Sequence, residues 1–138
     1  IFMRSIASAT VAILSAFLSL TACQESFDKR LQREARDFTE NHCPQEPEPG
    51  TQLDSTTYAP NERVYTLWYS LAPENETAIR ERTELLHQLL LHELVADVNY
   101  INLKNEGITF RYVYRSQQTG ALIYETQIKA KEYREQAK

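Results

Sequence analysis

The sequence predicts an α+β domain: an antiparallel sheet of about four strands covered on one face by helices, in the order α-β-β-α-β-β. Three observations predict it. Apolar residues recur at helical spacing in two separate stretches, β-branched and aromatic residues crowd into short runs between turn signals, and those runs fall in pairs on either side of the longer helical stretch.

Phe27, Leu31, Ala35 and Phe38 recur at spacings of four, four and three, one apolar stripe on a helix whose other face carries Lys29, Arg30, Arg33, Glu34 and Asp37. Asn41, Cys43 and Pro44 end it, because proline lacks a backbone donor and turns its predecessor away from the α region. Residues 45–50 interleave Pro47 and Pro49 with Glu46 and Glu48, which predicts an acidic extended loop. Residues 51–58 form a short edge strand with Leu53 inward, and Pro60 and Asn61 mark a turn. Residues 64–71 give the clearest strand, with Tyr65, Leu67, Tyr69 and Leu71 on one face and Val64, Thr66, Trp68 and Ser70 on the other.

Asn75 is expected to cap a long helix that begins at Glu76 and carries the broadest apolar arc of the chain, from Ile79 through Leu85, Leu86, Leu89, Leu90, Leu91 and Leu94 to Val98. Such an arc predicts the principal core helix. Gly107 marks its exit, and residues 108–115 and 121–128 then form a hairpin around residues 116–120, where Gly120 supplies a positive φ. Ile108, Phe110, Tyr112 and Tyr114 are expected to face the helix with Leu122, Tyr124 and Ile128. Thr109, Arg111, Val113 and Arg115 then face outward beside Ile123 and Glu125, near Trp68. The last ten residues form a short helix or a frayed tail.

The start of the chain carries the most specific signal. An apolar run from Ile6 to Leu20 follows a single charge, Arg4, and leads into Leu20-Thr21-Ala22-Cys23. Gln24 and Glu25 close the run before it reaches the roughly 20 residues a membrane-spanning helix needs, which points to an export signal. Leu20-Thr21-Ala22-Cys23 resembles the lipobox of bacterial lipoproteins. The resemblance implies cleavage before Cys23, acylation of its sulfur, and anchoring of the remaining chain in a lipid bilayer. The expected organisation is a signal peptide over residues 1–22, a short lipidated tether over 23–27 and one α+β domain over 28–138. By the sorting rule of Gram-negative lipoproteins, Gln24 in place of aspartate implies the outer membrane.

Composition narrows what the domain can do. The formal charge is −4 and becomes one unit more negative once Arg4 is removed, with no basic block to offset it, so nucleic acid is not an expected partner. Three glycines, Gly50, Gly107 and Gly120, form no phosphate loop. His87 and His92 stand five apart, about 140° around a helix of about 3.6 residues per turn, and the fourth position after His92 is Ala96; no metal site or cofactor is expected. With Cys23 acylated, Cys43 is a lone thiol beside no basic cluster.

The expected role is a non-enzymatic binding or scaffolding module whose lipid sets its location and whose domain meets an envelope protein or a periplasmic ligand. Trp68, Arg111, Arg115 and Ile123 are the candidate partner-binding residues, since aromatics and arginine anchor interfaces. The alternative is a thiol-dependent or hydrolytic enzyme that pairs Cys43 with a histidine. Beyond the lipobox, the chain resembles the small bacterial lipoproteins of unknown function.

Overall fold

The computed structural model describes residues 25–138. Cys23 and the expected signal peptide lie outside the described residues. Ser26 caps the first helix, α1 (Phe27–His42), accepting a hydrogen bond from the Lys29 amide at 3.2 Å, and Leu31 and Ala35 on its apolar stripe are buried. The strands β1 (Gln45–Glu48), β2 (Thr51–Ala59), β3 (Val64–Leu71), β4 (Thr109–Ser116) and β5 (Leu122–Ile128) form one sheet in sequence order. Between β3 and β4 come α2 (Pro73–Glu81), α3 (Thr83–Ala96), a 3₁₀ turn (Val98–Tyr100) and α4 (Ile101–Asn105). The chain ends in α5 (Ala130–Gln136).

The α+β class is as the sequence predicts, and the sheet differs from the expectation in two ways. It has a fifth strand: residues 45–48, expected as a loop, pair with β2 through the two-residue turn Pro49-Gly50. Every residue of β1 is exposed, so the strand has no apolar alternation, and Pro47 is tolerated because one side of an edge strand needs no donors. It makes β2 an interior strand. The sheet is also mixed, because β3 and β4 run parallel while the other pairs are antiparallel. The helical segment carries the chain back across the sheet before β4 begins, and a crossover of that kind delivers a parallel neighbour.

The long helix is likewise two helices. Arg82, at φ −134° and ψ 42°, ends α2 and starts α3. α2 starts earlier than expected, with Pro73 in its first turn where a missing donor costs nothing. Asn75 therefore does not cap it. The Asn75 amide instead donates to the Pro49 carbonyl and the Thr51 hydroxyl, both at 2.9 Å, and ties α2 to the β1–β2 turn.

One face of the sheet packs on the helices. Leu71, Ile108, Phe110 and Ile128 are fully buried there against Leu90, Leu91 and Leu94 of α3, with Tyr133 of α5 donating to the Ile108 carbonyl at 2.9 Å. α1 closes the β2 side: the Thr56 amide donates to the Thr39 hydroxyl at 2.9 Å, and the Thr56 hydroxyl to the Ala35 carbonyl at 2.9 Å, beside the register shift between Leu53 and Ser55.

The two ends of the strands are chemically different. At one, α1 begins beside the β2–β3 turn and the start of β4, where the Tyr58 hydroxyl donates to Asp28 at 2.5 Å and Arg63 lies 3.5 Å from Asp28 and 3.4 Å from Glu106. At the other, the Ala72 amide donates to the Gly50 carbonyl and the Gln117 amide to the Leu71 carbonyl, both at 2.9 Å.

Candidate functional site

An apolar groove opens at the end of the sheet away from the start of α1. Its floor is Tyr69 of β3 and Tyr114 of β4, direct neighbours in the parallel register, whose rings stack 4.8 Å apart and within 9° of parallel. Tyr124 extends the row onto β5, 6.4 Å from Tyr114. Ile79 of α2 and Leu86, Leu89 and Leu90 of α3 form one wall, and Pro47 and Glu48 at the end of β1 with Pro49 of the following turn form the other. The cavity measures about 450 Å³, within the size range of ligand and peptide pockets. The break at Arg82 separates the helix that contributes Ile79 from the one that contributes Leu86, Leu89 and Leu90.

Leu89 is 50% exposed at the rim and Leu85, one turn earlier on the same face of α3, is 51% exposed. The broad arc expected to be buried in the core is therefore partly unpartnered. Glu48 and Glu93 give the groove an acidic edge. Burial first, and then the Glu93 charge, push the Tyr69 hydroxyl up to about 12, and burial with Tyr69, Glu93 and Glu48 nearby pushes Tyr114 higher. Both hydroxyls stay neutral at any physiological pH, so the floor presents ring faces and uncharged O–H groups.

The expected patch lies on the opposite face of the sheet. There the Arg111 and Arg115 guanidinium carbons sit 5.2 and 4.9 Å from the Trp68 ring centre, the Trp68 indole N–H donates to the Thr57 hydroxyl at 2.8 Å, and Arg111 pairs with Glu125. Trp68, Arg111 and Arg115 thus come together; Ile123 does not join them. The register shifts between Tyr114 and Arg115, a bulge that leaves Ile123 packed against the helix-side core and aligns Leu122, 57% exposed, with Arg115. Leu122 was expected to face the helices; the same bulge exchanges the two. Beneath the patch, Val113 is 1% exposed although it belongs to the helix-free face. Val113 is the register partner of Trp68 and lies between Arg111 and Arg115 on β4, so the cluster surrounds a buried position on this face.

Cys43 is half-buried against the core, and desolvation, followed by the Asp54 charge, pushes its thiol up and away from the thiolate form that a nucleophile requires. His87 is held between the Thr126 hydroxyl at 2.6 Å and Glu132 at 2.5 Å, pinning α3 to β5 and α5, while His42 and His92 are exposed. Among the described residues, no group of three His, Cys, Asp or Glu side chains is placed to hold a metal ion, and no helix is long and apolar enough to cross a membrane.

A family model described as a domain of unknown function, DUF8479, matches residues 26–124, from the cap of α1 into β5. The chain belongs to the DUF8479 family. No curated protein matches the DUF8479 chain by sequence. Solved structures share its fold at low identity. A Pseudomonas aeruginosa protein, PA3611, assigned to the secreted class, is 13% identical with a TM-score of 0.65, over 80% of this chain and 99% of that one. The type 2 secretion pilotin EpsS of Vibrio vulnificus is 16% identical with a TM-score of 0.58, over 77% and 94% of the two chains. The type II secretion pilotin AspS of Vibrio cholerae is 15% identical with a TM-score of 0.58, over 76% and 90%.

Proposed function

We propose that the protein is a non-enzymatic envelope lipoprotein, tethered through acylated Cys23, that holds an apolar segment of another envelope protein in the groove between α2, α3 and the β1–β2 turn. The observation that carries this reading is the groove: an aromatic floor, a leucine wall half-exposed at Leu89, and an acidic rim at Glu48 and Glu93. Large exposed apolar surface bounded by charge marks an interaction site on a soluble domain. The rim selects the partner's chemistry, which is a segment with apolar side chains into the floor and Lys or Arg at its flanks. The fold shared with two secretion pilotins and a protein of the secreted class supports an envelope setting and a pilotin-like adaptor role. The raised Cys43 thiol supports a binder over a thiol enzyme.

The test is a photo-crosslinking side chain placed at Leu89 in the full chain in cells, compared with one at Gln127 on the helix-free face. Capture of one envelope protein from Leu89, reduced when Glu48 and Glu93 are both changed to Lys, is expected. Equal capture from the two positions, or capture unaffected by the charge reversals, contradicts the groove reading.

A further inference from the structure

The end of the domain opposite the groove carries its own exposed apolar pair. Val98 is 76% and Ile101 52% exposed, and neither belongs to the core cluster. They stand three residues apart across the junction of the 3₁₀ turn and α4, so they share one side of that segment. The segment beneath them is firmly held. The Lys104 ammonium donates to the carbonyls of Leu94 at 2.7 Å, Val95 at 3.1 Å and Asp97 at 3.0 Å, and the Tyr100 ring packs edge-on against Phe110 at 5.4 Å. A rigid base thus holds two hydrophobic side chains in the open, where burial of each would gain free energy and none of the described residues buries it.

Val98 and Ile101 are chain neighbours of residues that stand beside the start of α1. Asn99, Asn102 and Leu103 share a cleft of about 330 Å³ with Phe27 and Leu31 of the first turns of α1. From Phe27 back to Cys23 is four residues, a span of at most about 14 Å for an extended chain. An acyl chain on Cys23 therefore keeps this end of the domain at the bilayer whatever the groove holds at the other.

We propose that Val98 and Ile101 enter the bilayer interface, so that the domain stands on the lipid surface with its groove pointing away instead of swinging from the anchor. The partner is a lipid surface recognised by apolar insertion and not by charge, in keeping with the acidic balance of the chain. This inference rests on the lipidation of Cys23. An interfacial contact of this kind adds to the attachment that the acyl chains supply and fixes the orientation of the domain.

The acylated full chain, reconstituted in vesicles of phosphatidylethanolamine and phosphatidylglycerol, tests it. Val98→Cys, Ile101→Cys and Thr119→Cys, each in a Cys43→Ala background, carry an environment-sensitive fluorophore, Thr119 marking the far β4–β5 turn. Blue-shifted emission at 98 and 101 that brominated lipid quenches, with aqueous emission at 119, is the expected result. Aqueous emission at 98 and 101 in protein that floats with the vesicles overturns the proposal and leaves the anchor standing. A blue shift that brominated lipid fails to quench means that a protein surface covers the pair, and also overturns it. Protein that does not float has no anchor, and the inference falls with that reading.

Discussion

Tyr69, Tyr100, Tyr112 and Tyr114 are the residues on which the interior depends most visibly in solution. Burial is the leading cause of the raised pKa at all four, with Tyr69 pushed from its ordinary 10.0 up to about 12 and the others higher. A raised value means that the folded chain keeps the proton after the unfolded chain has released it. The stabilisation is whole below pH ~10 and is lost as pH rises through the folded values, at about 1.4 kcal/mol per pH unit for each tyrosine. Tyrosinate absorbance and circular dichroism are therefore expected to change together between pH ~10 and pH ~12, and more gradually for Tyr69→Phe. Smooth ionisation near pH ~10 with the dichroism unchanged would show that these rings are solvated. Of the residues singled out in the sequence, Trp68, Arg111 and Arg115 were placed together by simple strand alternation. Ile123 was not, because a one-residue bulge reverses facing and leaves no local mark in an Ala-Leu-Ile-Tyr run.

Among the elements, the β1–β2 turn governs the shape of the groove. Gly50 has φ +80°, and a Cβ there would lie 2.8 Å from the Asn75 amide nitrogen that secures the turn. Gly50→Ala is expected to cost about 1–3 kcal/mol in urea unfolding, from the left-handed backbone and the displaced Asn75 together. An unchanged midpoint would mean that the turn is not tied to α2. The elements themselves were legible wherever one face is buried: the Leu31 and Ala35 stripe, the Tyr65, Leu67 and Leu71 face, and the hairpin with Gly120. β1 was illegible because an exposed edge strand carries no apolar pattern. The relative direction of β3 and β4 was illegible because alternation is the same for parallel and antiparallel strands; only the path of the intervening helices decides it. The break at Arg82 follows no glycine or proline, and the groove gathers residues from α2, α3, β3, β4 and the β1–β2 turn, which no spacing in the chain relates. The one sequence sign of the groove was the excess breadth of the α3 arc, whose Leu85 and Leu89 are more than the core can cover.

The whole molecule has a direction. α1 starts, and the exposed Val98 and Ile101 lie, at one end of the sheet, while the apolar groove opens at the other end. β2 alone, from Thr51 at the groove to Tyr58 beside Asp28, spans about 23 Å at roughly 3.3 Å per residue, so the two ends are separated by most of the domain. An adaptor that stands on a membrane and offers a binding cleft away from it needs this arrangement. The acyl anchor on Cys23 is the premise that gives both ends their roles. Intact mass and detergent partitioning of the protein from its own envelope, beside Cys23→Ala, measure that premise directly. The expected mass matches cleavage before Cys23 plus acyl chains, in the detergent phase, with both lost in the variant. A cleaved, unacylated chain in the aqueous phase would contradict it and leave a soluble domain with no fixed orientation.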